Sequence, residues 1–443
     1  MDHRIYFGAD WHEHVEVKVV WMDWQHKKVT VLGLGKSGFD CAFFLKEKGA
    51  DVFVSELAQT ESVLENKKKI TAAGIACEVG HHSTNLILKS DIIIISPGIS
   101  PQQPIFQQIT AAQIPVWSEI ELAYQGMPGR VVAVTGTNGK TTVSTLVSQL
   151  LSEAGYPVVL CGNIGNTFIG CLPQMKQDSI AVVEVSSFQL QQTFSFRPFV
   201  AVMLNLTDNH FDWHGNFEHY AAAKFRIFSQ QTQSDFAVLN ARDPEIKRRL
   251  SSVKSQKLFF NESGGGNPNE EVCFAIGKIF KIPMPKIQQT LSNFKGIPHR
   301  LELLNIKSDI QYINDSKSTT IASLKWALER MEKPVVLIVG GQFKGGSFES
   351  LKSLAASKVA HAVLIGEAAE LIRNAWQDVV PMTVSGSFRE AIQNAKQNAK
   401  KNQTVLLSPA CASFDMFKNY IDRGNQFRQV VQEIEGVYTK TAR

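Results

Sequence analysis

Short apolar runs alternate along the chain with longer stretches in which apolar and polar residues recur at helical spacing. The first kind reads as buried strand and the second as amphipathic helix. Their regular alternation predicts an α/β fold with largely parallel sheets. Val29 to Leu32 reads as a strand, Gly33 to Gly38 as the turn leaving it, and the residues to about Gly49 as a helix. Asp51 to Ser55 and Asp91 to Ser96 follow as strands; the second is apolar throughout between polar ends, as expected where helices cover both sheet faces. Val131 to Val134, the run around Glu184 and Phe199 to Leu204 continue the pattern. Pro334 to Gly340, His361 to Gly366 and Thr404 to Ser408 repeat it.

Two segments combine Gly and Pro and so punctuate this pattern: Tyr124 to Arg130 and Phe294 to Arg300. They divide the chain near 125 and 298 into three α/β domains, 29–125, 126–298 and 299–443, behind an extension, 1–28. In that extension His3, His12, His14 and His26 stand among Trp11, Trp21 and Trp24, and a plain extension is a better reading than a metal site at His12 and His14. Because the first clear strand begins near Val29, Met22 is an alternative start; an intact mass that includes residues 1–21 would reject it. Ser263 to Asn269 is a polar, Gly-rich loop.

A chain of 443 residues, 44% of them hydrophobic, can bury several cores without disulfides or structural metals. The net charge of +5, without a long run of like charges, argues against a nucleic-acid partner and leaves room for a local anion site. Six cysteines at 41, 77, 161, 171, 273 and 411 form no CxxC pair, which points to a reducing compartment. The apolar runs are too short to cross a bilayer and the first residues carry no signal-peptide core, so a cytoplasmic protein without a membrane partner is expected.

The strongest chemical signal is Val131-Val-Ala-Val-Thr135-Gly136-Thr137-Asn138-Gly139-Lys140-Thr141-Thr142. A buried strand runs into a Gly-rich turn and Lys-Thr opens a helix. Glycines let backbone N–H groups approach phosphates, the helix N-terminus favours their charge, Lys140 reaches the terminal phosphates, and the Thr141 hydroxyl suits magnesium. This makes the central domain a P-loop ATPase-like parallel sheet, although Val134 stands where the standard pattern has its first glycine. Gly33-Leu-Gly35-Lys36-Ser37-Gly38, with Glu56 closing the next strand, spells a dinucleotide fingerprint in a Rossmann-like N-terminal domain. Physically it promises only a diphosphate at a helix N-terminus. Since a separate P-loop serves ATP, a substrate diphosphate is favoured over NAD. Ser96-Pro97-Gly98 ends a parallel strand, where ligands of such sheets collect. Glu184 is an acid inside an apolar strand, costly unless paired or bound to a cation, and His210 and Asp212 fall just beyond another strand's end. Hard oxygen ligands beside a triphosphate point to magnesium. In the Rossmann-like C-terminal domain, His299-Arg300, Asp315-Ser-Lys317-Ser-Thr319, Lys344 and Ser408-Pro-Ala-Cys-Ala-Ser413-Phe-Asp415 are further candidates.

Together these residues resemble the Mur ligase family, over nearly the whole chain from about Val29. Thr135 to Thr142 looks like that family's own P-loop variant, and Glu184, Asn205-Leu-Thr-Asp-Asn-His210, His299-Arg300 and Asn314-Asp-Ser-Lys317 match its other motifs in order. The Gly33 loop, the Ser96-Pro-Gly-Ile stretch and Ser408 to Tyr420 are similar to the D-glutamate-adding members, the last being the most specific. The resemblance implies a monomeric, ATP- and Mg2+-dependent ligase of peptidoglycan precursor synthesis that joins D-glutamate to UDP-N-acetylmuramoyl-L-alanine through an acyl phosphate, with domain joints near 125 and 298 as hinges. It implies that Gly136 to Thr142 hold the phosphates, that Thr141 and Glu184 bind one magnesium, and that Glu184, His210 and a carbamylated Lys224 bind or position a second. Gly35, Lys36, Ser37, Ser96, Pro97, Gly98 and Asn163 would contact the UDP substrate; Asn269, Arg300 and Asp315 would reach ATP; Thr319, Lys344, Ser413 and Tyr420 would frame D-glutamate.

One departure falls on the adenine contacts. The family's Gly-x-His-Asn-x-x-Asn stretch has as its counterpart Gly266-Asn-Pro-Asn269-Glu-Glu-Val272, keeping the first glycine and Asn269, and the segment from Asn240 to Gly266 is short. The rival readings are a sister Mur ligase or a folylpolyglutamate synthetase, a nicotinamide dehydrogenase, and a nucleotide-binding protein that has lost catalysis.

Overall fold

A computed structural model describes residues 4–6, 16–18, 22–100, 102–208, 211–304, 306, 308–343 and 345–436. Residues 4–6 and 16–18 pair antiparallel, and His12 and His14 lie outside the described residues. The chain forms two compact units, 1–294 and 295–443, and the first contains, besides that short pair, two large sheets. Three α/β domains with mainly parallel sheets result, as the alternation of runs predicts.

The N-terminal sheet has five parallel strands in the order Ala76–Val79, Asp51–Glu56, Lys28–Leu32, Ile92–Ile95, Val116–Ser118. Successive residues of its inner strands serve different cores: Ile92 and Ile94 join one apolar cluster, Ile93 and Ile95 another. That is why the run carries no polar alternation. The central sheet orders six parallel strands as Gln256–Phe260, Phe236–Asn240, Val200–Met203, Arg130–Thr135, Ile180–Glu184, Val158–Gly162. Val131 and Ala133 face one core, Val132 and Val134 the other. The P-loop strand is therefore central and buried on both sides, which fixes the turn at its end.

The two large sheets of the first unit share a core. Leu45 and Ile120 from one side and Phe168 and Ala133 from the other belong to a single apolar cluster. Two acids seal the joint. Glu121 accepts N–H groups of Phe194 (2.8 Å), Ser195 (2.8 Å) and Phe196 (3.1 Å), and Glu119 that of Ile169 (2.7 Å). The Gly/Pro segment near 125 is thus a packed joint, whereas the division near 298 falls close to the boundary between the units.

In the second unit Glu302–Leu304 runs antiparallel to Gln311–Asn314, and parallel strands follow in the order Thr404–Leu407, Val335–Gly340, Val359–Ile365, Met382–Val384. Val335, Leu337 and Val339 pack on one side of this sheet, Val336 and Ile338 on the other. Among the described residues no helix is long and apolar enough to cross a membrane.

Candidate active site

The P-loop leaves the strand Arg130–Thr135 through Gly136 (φ +148°) and reaches the helix Lys140–Glu153 through Gly139 (φ +85°). Both angles suit glycine, and a Cβ on Gly136 would sit 2.9 Å from that of Leu204. Gly139 caps the helix without a side-chain hydrogen bond, and a helix start of this kind suits an anion. The Lys140 ammonium donates to the carbonyls of Gly136 and Thr137, both at 2.9 Å, and so lies folded along the turn.

A second loop braces this turn. The Asn205 side chain accepts from the Asn138 N–H at 2.8 Å and donates to the Asn138 carbonyl at 3.1 Å. Thr137 donates its N–H to the Asn205 carbonyl at 2.9 Å and pairs its hydroxyl with Tyr220 at 2.9 Å. Neither Asn205 nor Tyr220 stands out as a brace in the sequence, because both act through pairing between segments far apart in the chain. Asn269, at the start of the helix Pro268–Ile279, brings its side-chain oxygen to 3.6 Å from where a Gly139 Cβ would lie. The altered adenine segment therefore still meets the P-loop.

Glu184 ends the strand beside the P-loop strand, paired with Val134, and is 2% exposed. One carboxylate oxygen accepts the Asn163 amide at 2.9 Å; the other, buried, has no hydrogen-bond partner among the described residues. A buried, half-satisfied carboxylate at the end of the strand beside the P-loop strand suits a magnesium ion that takes its remaining ligands from phosphate and water, and Thr141, also buried, opens the helix that follows the turn. Among the described residues no cluster of three His, Cys, Asp or Glu side chains could hold a metal alone. Lys224, 2% exposed, donates to the Gly136 carbonyl at 2.9 Å. Burial first and the Lys140 charge second push its amine well below the ordinary lysine value, with Glu184 pulling the other way. Lys140, Glu184 and Lys224 are thus gathered at one end of the central sheet. His210 and Lys344 lie outside the described residues, as do the side chains of Phe211 and Asp212.

In the N-terminal domain a cavity of about 490 Å³ is lined by Gly35, Lys36, Ser37, Ser96, Pro97 and Gly98, together with Glu56 and His82. Gly33 (φ +94°) and Gly38 permit the close approach, since a Cβ on Gly38 would fall 1.9 Å from the Gly33 carbonyl oxygen. The buried Ser96 hydroxyl has no partner among the described residues, while the Glu56 oxygens accept main-chain N–H groups of Leu34 and Ala58, both at 2.7 Å. His82 pairs with the buried Ser55 hydroxyl at 2.6 Å. Asn163 does not line this cavity; it stands on the central domain beside Glu184.

In the second unit Asp315 is 2% exposed and accepts the Leu301 N–H (3.1 Å) and the hydroxyls of Ser318 (2.5 Å) and Ser408 (2.8 Å). Burial raises its carboxyl, and Arg300 opposes the rise. Thr319, Ser413 and Tyr420 lie beyond the C-terminal ends of neighbouring strands. A residue that the sequence does not advertise holds this end together. Arg423, fully buried, donates to the Ser316 hydroxyl at 3.0 Å and to the carbonyls of Ser316 (2.9 Å) and Cys411 (3.1 Å). Its one signal is its place on the helix Tyr420–Ile434, three residues past Tyr420.

Comparison with known proteins gives the same picture. Sequence models of the MurD-like N-terminal domain, the Mur ligase middle domain and the Mur ligase glutamate ligase domain match residues 27–118, 134–274 and 299–411. A UDP-N-acetylmuramoylalanine–D-glutamate ligase of Desulfatibacillum aliphaticivorans is 34% identical over 93% of this chain and 100% of its own. One from Koribacter versatilis is 37% identical over 93% and 99%. Among solved structures, the UDP-N-acetylmuramate-alanine ligase MurC of Thermotoga maritima covers 92% of this chain and all of its own at a TM-score of 0.54 and 16% identity, which speaks to the fold alone. FolC of E. coli with ADP covers 72% of this chain and 93% of its own at a TM-score of 0.53 and 16% identity. With full-length relatives above 30% identity and three family domains in order along it, the chain belongs to the Mur ligase family.

Proposed function

We propose that this protein is an ATP-dependent ligase that joins D-glutamate to UDP-N-acetylmuramoyl-L-alanine in peptidoglycan precursor synthesis. The observation that carries the chemistry is the half-satisfied Glu184 carboxylate beside an uncapped glycine–lysine–threonine turn. A carboxylate does not condense with an amine in neutral water, because its leaving group is poor. Transfer of the γ-phosphoryl of ATP to the L-alanine carboxylate gives an acyl phosphate. The D-glutamate amine then attacks that carbon, and phosphate leaves from the tetrahedral intermediate.

The turn's N–H groups and Lys140 hold the triphosphate and follow the charge that gathers on the transferring group. Thr141 and Glu184, together with phosphate oxygens, would hold a magnesium ion, whose charge would offset this build-up. The cavity of the N-terminal sheet receives the UDP part, which supports this reading over the folylpolyglutamate one. Arg300 and Asp315 are assigned to ATP, and Thr319, Lys344, Ser413 and Tyr420 to the amino acid. Lys224 carries a carbamate: its neutral amine adds to carbon dioxide and loses a proton, turning a buried amine into an oxygen ligand.

The test is phosphate release with Mg-ATP and UDP-N-acetylmuramoyl-L-alanine, with and without D-glutamate. Sustained release only when both are present is expected. Release with UDP-N-acetylmuramate and L-alanine, or with a folate and L-glutamate, in place of this substrate pair would move the protein to a sister ligase.

A further inference from the structure

Lys36 stands in the Gly33–Gly38 turn, where a lysine invites the reading of a diphosphate ligand. Its ammonium instead reaches into the central domain and donates to the Gly165 carbonyl and the Asn166 side-chain oxygen, both at 2.8 Å. One helical turn on, Asp40 accepts the Thr167 hydroxyl at 2.5 Å, so one face of the helix Lys36–Glu47 grips residues 165–167 twice. The gripped segment is short and closed on itself: the Gly162 N–H donates to the Asn166 carbonyl at 2.9 Å, with Gly162 (φ +95°) and Gly165 (φ +64°) supplying the bends. Inside that loop Asn163 donates its N–H to the Glu184 carbonyl at 2.8 Å and its side-chain amide to the Glu184 carboxylate at 2.9 Å. A chain of direct bonds thus runs from the turn beneath the UDP cavity to the carboxylate beside the P-loop.

We propose that Lys36 is a positioning residue: its side chain couples the turn of the N-terminal cavity to the orientation of Glu184, and so to the affinity for Mg-ATP. The proposal rests on the functional reading above for what fills the cavity, but not for the coupling itself. Without the two Lys36 bonds the 162–166 loop loses its charged anchor, the Asn163 amide swings, and the Glu184 oxygen that has no partner among the described residues is no longer held in one direction. Asn166 is not among the residues that line the N-terminal cavity, so its substitution tests the coupling without altering that lining.

The experiment is calorimetry of Mg-ATP on the full chain for wild type, Lys36→Met, Asn166→Ala and the double variant, with turnover assayed in parallel. Each single variant is expected to weaken Mg-ATP binding about five- to tenfold and to raise the Mg2+ concentration for half-maximal rate. The double variant should be no worse than the poorer single, and Lys36→Arg should restore most of the loss. Mg-ATP affinity unchanged in both singles would overturn the proposal, and a rise confined to the KM for the UDP substrate in Lys36→Met would make Lys36 a plain phosphate ligand. A wild type that binds Mg-ATP yet turns over no UDP-N-acetylmuramoyl-L-alanine would reject the functional reading, while the calorimetric comparison would still decide the coupling.

Discussion

Two buried charges define the residue scale. Glu184 keeps one carboxylate oxygen without a partner among the described residues, and Lys224 keeps an amine pushed well below its usual range by burial and by Lys140. Neither arrangement favours folding, so both are expected to be held for function. Glu184→Gln preserves shape and the Asn163 contact but removes the charge. Turnover should fall at least ~100-fold, a loss of about 3 kcal/mol in transition-state stabilisation, while the thermal midpoint stays level or rises. Lys224→Met should likewise cost activity without costing stability. Because the Lys224 amine is neutral well below ordinary lysine pH, 13C-bicarbonate should give a carbamate resonance near neutrality in the wild type and none in Lys224→Met. A wild-type spectrum without that resonance would remove the carbamate from the mechanism.

At the scale of elements, the site is a strand, a turn and a helix whose geometry hangs on two glycines. Gly139 sits at φ +85° and caps the helix Lys140–Glu153. An alanine there pays about 1 kcal/mol or more for the left-handed backbone. Gly139→Ala should lower the thermal midpoint by a few degrees and weaken Mg-ATP by more than tenfold, since the same backbone angle aims the amides at the phosphates. Loss of stability with unchanged nucleotide affinity would show that the turn does not bind ATP. The sequence pattern marks this element well, because strand, Gly-rich turn and Lys-Thr are contiguous. It does not mark the brace from Asn205 and Tyr220, nor the anchor from Arg423, because those contacts join segments that only the fold brings together.

For the whole molecule, the joint near 125 behaves as packed core. Glu119, fully buried in it, has one oxygen on the Ile169 N–H and the other without a partner among the described residues, and burial pushes its carboxyl up to about 7. Its native value lies above the unfolded one, so the fold binds its proton more tightly. The stabilisation is complete at acid pH, declines as pH rises from about 4.5 to about 7, and is gone above that. Denaturant titrations should show wild type losing about 3 kcal/mol across that window relative to Glu119→Gln. Parallel pH profiles for the two proteins would place the titration elsewhere.

The linear sequence by itself determined the α/β alternation, the buried central strands and the phosphate turn, since each depends on neighbours in the chain: apolar runs for strands buried on both faces, glycines for a turn, a lysine and a threonine for its anion and cation. It also marked Glu184, because an acid in an apolar strand is conspicuous in one dimension. Only the tertiary structure decided that Asn163 belongs to Glu184, that the Lys36 side chain crosses to the central domain, and that the first joint is sealed by Glu119 and Glu121. The reason is physical. A buried polar group is satisfied by whatever donor or acceptor the packing delivers, and packing brings together residues more than a hundred positions apart, as with Lys36 and Gly165.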